Sequence, residues 1–174
     1  MTRVVIFIDG MNVRCRLEEK RWYEYYDVSH FANAIARPRE LVMTRFYIAT
    51  PNRQQLGEKE YSKQRSYLQQ IESQKDVQLI TGYMRQRLRW IEKRVDSAIA
   101  ADMVYLACKD YFDHAIVVSA DADLVPPIER VLELDKRVEL VVFKGTQPKI
   151  YDLERVASWT RRARPLYFKP YPSN

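Results

Sequence analysis

The chain has 174 residues, 47% of them hydrophobic and 30% charged, with 29 Lys plus Arg against 23 Asp plus Glu, a net charge of 29 − 23 = +6. That length suits one domain with a real core, and the 4 glycines and 8 prolines exclude collagen-like and low-complexity architectures. No apolar run reaches the roughly 18 residues of a membrane span, and 2 cysteines with 2 histidines exclude a disulfide scaffold and argue against a structural zinc site.

The first apolar run, Val4–Ile8, reads as a buried strand. The segment turns acidic at Asp9, too soon for a secretory signal, so a reducing cytoplasm is the expected compartment. A helix is predicted over 29–36 and a strand over Leu41–Ala49. The next helix, 58–74, carries Tyr61, Tyr67, Leu68 and Ile71 on one stripe. A strand follows at Val77–Ile80. Thr81–Arg94 breaks the pattern, with basic and apolar residues alternating from Met84 to Trp90, which predicts an extended arm or hairpin with Arg85, Arg87 and Arg89 on one face. A helix over 95–110 has Val95, Ile99, Met103 and Leu106 as its apolar stripe. Then come a strand at Ala115–Ser119, a helix at 125–135, a strand at Val138–Phe143 and a short helix near 151–159. Near-continuous apolar strands alternating with helices predict a mainly parallel sheet covered on both faces, a three-layer α/β/α domain. Residues 1–160 are expected to form it, with 161–174 a basic, proline-containing, irregular tail.

In such sheets a ligand sits beyond the carboxyl ends of the strands. Asp9 and Asn12 follow the first strand, Asp121 and Asp123 follow the fourth, and Asp96 opens a helix after the arm. Each acid alone has an ordinary reading as a turn or helix cap. Together, four carboxylates in one volume are tolerable only if protonated or neutralised by a cation. An all-oxygen donor set favours a hard ion, Mg²⁺ or Mn²⁺, which can activate water toward a phosphodiester. Asn12 is placed to orient a carboxylate or that water. Asp102, about 240° further round the helix than Asp96, is expected to be structural.

The segments Val5–Asn12, Glu92–Asp102 and Val117–Pro126 resemble, in order and spacing, the NYN-domain (LabA-like) family of PIN-like nucleases. The resemblance implies a PIN-like fold, a carboxylate cluster binding Mg²⁺ or Mn²⁺, and metal-dependent RNA cleavage. It implies metal ligation by Asp9, Asp96 and Asp121, with Asp123 a fourth ligand or a carboxylate behind them, and it sets Asn12 at the family's asparagine position. Three positions depart from the family pattern: Arg94 replaces a frequent Gly, Ala120 another, and Pro127 doubles Pro126.

An RNA or DNA strand approaching these acids needs a basic rim. Arg14, Arg16, Arg85, Arg87, Arg89, Lys93, Arg94 and Lys144 are the candidates, with Tyr83 and Trp90 able to stack on bases. The Trp22–Tyr26 aromatics, His30 and His114 are expected to be structural. The leading expectation is a metal-dependent ribonuclease, expected to cut internally, that does not bind membranes and belongs to a fold class that self-associates. An RNA- or protein-binding regulator on the same fold is the alternative. A haloacid-dehalogenase-type phosphatase is less consistent, because Met11 stands where that chemistry needs a second acid.

Overall fold

The computed structural model describes residues 1–87, 90–145 and 150–171. Seven strands form one sheet: β1 (Arg3–Asp9), β2 (Glu40–Ala49), β3 (Val77–Gln86), β4 (Trp90–Lys93), β5 (His114–Val118), β6 (Arg137–Val142) and β7 (Trp159–Arg162). Their spatial order is β4-β3-β2-β1-β5-β6-β7. All neighbours run parallel except β3 and β4, which form an antiparallel hairpin. The helices are α1 (Gly10–Lys20), α2 (Val28–Ala36), α3 (Arg53–Glu72), α4 (Val95–Cys108), α5 (Val125–Glu133) and α6 (Tyr151–Val156). Among the described residues, no helix is long and apolar enough to cross a membrane.

The period-two pleat of β1 sorts its side chains into two cores. Val4, Ile6 and Ile8 pack with Leu17, Phe31 and Ile71 under α1, α2 and α3. Val5 and Phe7 pack with Ile99, Met103 and Ile128 under α4 and α5. The five apolar runs read from the sequence are all strands of this sheet, because strands covered on both faces carry apolar residues on both.

Several elements differ from expectation. Gly10–Lys20 is a helix that the sequence reading did not assign; only Gly10, Val13 and Leu17 of it are buried, so its periodicity is weak. Helix α3 begins earlier than position 58, but Gly57 breaks it with φ 73° and ψ 165°. That region of backbone space is open essentially to glycine alone, so the regular helix does start at Glu58. The short helix ends at Val156 rather than 159, and the first residues of the expected irregular tail, Arg161 and Arg162, belong to a strand. Residues 159–162 form β7 on β6, anchored by Arg161 beside the buried carboxylate of Glu139 at 2.6 Å. Phe168 stacks on Phe31 at 4.5 Å and is buried, so the last described residues close the α2 core. Aromatic burial, invisible in a count of prolines and arginines, holds this segment down.

Candidate active site

Asp9 ends β1 and is the N-cap of α1, accepting the Asn12 backbone N–H at 3.0 Å. Its other oxygen accepts the Ser119 hydroxyl at 3.0 Å. The same Ser119 oxygen accepts the Asp121 backbone N–H at 3.1 Å. One hydroxyl thus ties the ends of two adjacent parallel strands, β1 and β5. Asp121 in turn accepts the Asp123 N–H at 3.0 Å and caps a short 3-10 turn, Ala122–Leu124, ahead of α5.

Asp96 lies in the first turn of α4, but the cap position is Arg94, which makes no side-chain capping bond. The Asp96 carboxylate is therefore not consumed as a cap. Asp9, Asn12, Asp96 and Asp121 line one cavity of about 350 Å³ at the carboxyl edge of the sheet, with Met11, Cys15, Arg16 and Glu19 of α1.

A further acid lines that cavity. Glu92 on β4 accepts the Ala49 N–H at 2.6 Å, so the end of β2 holds it in place. In the sequence Glu92 opens one of the segments that resemble the family, with nothing there to mark it as a site residue. Its position depends on the hairpin register, which pairs Met84 with Glu92 and Tyr83 with Lys93. Gly82 permits this approach: a Cβ there would stand 2.3 Å from the Lys93 carbonyl oxygen.

The acids perturb one another. Burial, then the charges of Asp96 and Asp121, push the Asp9 carboxyl up to about 6 against the Asn12 and Ser119 hydrogen bonds. Burial and the charges of Asp9 and Asp96 push Glu92 up to about 7. Asp96 is raised by burial and by Asp121 and Asp123, with Lys93 opposing. Such a set binds protons or a cation more readily than isolated carboxylates. Among the described residues no three His, Cys, Asp or Glu side chains stand in ligating arrangement. The donor chemistry nevertheless fits a hard divalent cation: oxygen ligands throughout, raised proton affinity, and two acids anchored by hydrogen bonds.

Asp123 is exposed and does not line the cavity; it acts on Asp96 through its charge from the rim. Arg14 is not brought to the cavity. Its guanidinium pairs with Glu18 at 2.9 Å and Glu60 at 3.1 Å, over the Tyr25 ring. Arg16 lines the cavity while paired with Glu19. Lys144 is exposed just beyond β6. Arg85 and Arg87 are exposed on the hairpin, and Arg89 lies outside the described residues. Alternation along β3 and β4 puts Tyr83, Arg85, Ile91 and Lys93 on one face of the hairpin and Met84, Gln86, Trp90 and Glu92 on the other. The basic face is therefore the one turned away from Glu92. Arg94 takes a left-handed backbone, φ 75°, and lays its guanidinium over Tyr83 at 5.1 Å. Asp102 is structural, bonded to Arg45 at 2.8 Å and the Tyr47 hydroxyl at 2.9 Å.

The profile of the NYN domain family matches residues 3–159. The chain belongs to the NYN domain family. NYN domains form part of the PIN-like nuclease superfamily, and the carboxylates of this NYN domain sit where its strands end. A solved protein of unknown function from Vibrio parahaemolyticus is 19% identical, covers 97% of this chain and 96% of its own, and superposes with a TM-score of 0.71, which supports the fold. A putative oxidoreductase from Parabacteroides merdae is 8% identical, covers 89% of this chain and 28% of its own, and superposes with a TM-score of only 0.37. No curated protein matches the chain.

Proposed function

We propose that this NYN domain is a metal-dependent ribonuclease, and that Asp9, Asp96 and Asp121 hold a Mg²⁺ or Mn²⁺ ion. The observation that carries the reading is the meeting of Asp9, Glu92, Asp96 and Asp121, from separate chain segments, around one cavity at the carboxyl edge of the sheet. When bound, such an ion supplies an activated water and neutralises charge on the phosphoryl group.

The residues divide the remaining work. Ser119 and the Asn12 N–H orient Asp9, each through one oxygen. Glu92 is fixed through one oxygen by Ala49, which leaves the other to accept a proton from water. Asn12, which lines the cavity, orients that water or the scissile phosphate. Asp123 adds negative potential at the rim, and Lys93, Arg94 and Lys144 offset it for an incoming phosphate chain.

The test is incubation of end-labelled single-stranded RNA with the full chain in Mn²⁺, Mg²⁺ or EDTA. Internal fragments that appear only with metal support an endonuclease. Tight RNA binding without cleavage in any divalent ion supports the regulator instead.

A further inference from the structure

A second cavity, about 260 Å³, lies between α3 and β3. Leu68 and Leu79 give it an apolar floor, Thr50, Tyr61 and Thr81 add hydroxyl and aromatic groups, and Arg65 and Glu72 bring one charge of each sign. The two cavities are linked through β2: the Ala49 N–H bonds Glu92 of the first, and the next residue, Thr50, lines the second.

The basic side of the hairpin leads into it. Leu79, Thr81, Tyr83 and Arg85 alternate onto one face of β3, so the cavity floor continues into the Tyr83–Arg94 stack. Arg53, ion-paired with Glu58 at 3.1 Å, covers one face of the Tyr61 ring at 4.8 Å, which leaves the other face for a base. Arg65 has no ion-pair partner among the described residues. An apolar floor, an aromatic wall, hydroxyl groups and charged donor and acceptor side chains at the margin suit one unpaired base, with its polar edge met by side chains.

We infer that this groove is a nucleobase subsite: it takes one unpaired base of the single-stranded RNA whose phosphodiester lies at the carboxylate cavity. The inference rests on the ribonuclease reading. The strand crosses the sheet edge at Ala49–Thr50 and leaves along Tyr83, Arg85 and Lys93. A duplex cannot present a base there without opening.

The experiment measures binding of fluorescein-labelled single-stranded RNA, by anisotropy, to the full chain carrying Asp9→Asn so that the strand stays intact. Cleavage by the unmodified chain is followed in parallel. Tyr61→Ala is expected to weaken binding roughly 5- to 150-fold, the range of one lost base stack; Tyr61→Phe is expected to restore it. An abasic nucleotide moved along the strand is expected to produce the same loss at one position, and no further loss in Tyr61→Ala. Normal binding by Tyr61→Ala and Arg65→Ala, while the unmodified chain cleaves RNA, overturns the subsite and leaves the ribonuclease reading standing. A loss equal for intact and abasic RNA also overturns the subsite. Absence of both binding and cleavage by the unmodified chain overturns the two together.

Discussion

The Ser119 hydroxyl donates to Asp9 at 3.0 Å and its oxygen accepts the Asp121 N–H at 3.1 Å. This single side chain therefore ties the Asp9 carboxylate to the Asp121 backbone just beyond β5. Ser119 is itself buried, so its bonds form in a low-dielectric setting where hydrogen bonds to charge are strong. Ser119→Ala is expected to destabilise the chain by about 1–3 kcal/mol. It is also expected to weaken Mn²⁺ binding, read by calorimetric titration. An unchanged metal affinity would remove Ser119 from the positioning role.

The acids store repulsion when no cation is bound. Asp9 and Glu92, raised to about 6 and about 7, bind protons in the folded chain at pH values where the unfolded chain has released them. Stability in EDTA should therefore fall as pH rises from about 4 to about 7. Asp9→Asn removes one buried charge and keeps an acceptor for the Asn12 N–H. At pH 7.5 in EDTA it should raise stability by on the order of 1–3 kcal/mol, seen as a higher Tm; a lower Tm would contradict the electrostatic account.

Arg94 holds a left-handed backbone, which costs a non-glycine residue about 1–2 kcal/mol. Its family counterpart is frequently Gly. Arg94→Gly should leave stability equal or slightly higher, since relief of the backbone offsets the lost stack on Tyr83. RNA binding should nonetheless weaken. A loss of stability without a loss of RNA affinity would make the residue structural.

The sheet was legible because its inner strands are apolar on both faces, as Val4–Ile8 and Ala115–Val118 are. Strand β7 was not, because Trp159–Arg162 has no such signature. Its pairing depends on Glu139, a buried acid on β6 whose partners Arg39 and Arg161 lie far away in sequence. Asp9, Asp96 and Asp121 were legible from their places after strands and at a helix start. Glu92 was not, since only the hairpin register turns it inward. Arg14 looked free in sequence; Glu60, 46 positions away, decided its direction.

Glu139 carries a separate prediction. Its side chain is fully buried with Arg39 and Arg161 each 2.6 Å away, the second as an ion pair without hydrogen-bond alignment. Glu139→Ala leaves two arginines unpaired beside the core and should cost about 3–5 kcal/mol in urea unfolding. The site at the opposite end of the sheet should keep its metal affinity in the folded fraction.

The proposed role of the carboxylate cavity is that of a divalent-metal centre for RNA cleavage. The most direct measurement is single-turnover cleavage of single-stranded RNA in Mn²⁺ by the unmodified chain and by an Asp9→Asn, Asp121→Asn double variant of matched fold. The account predicts metal-dependent cleavage by the first and none by the second. Equal cleavage by both would contradict it.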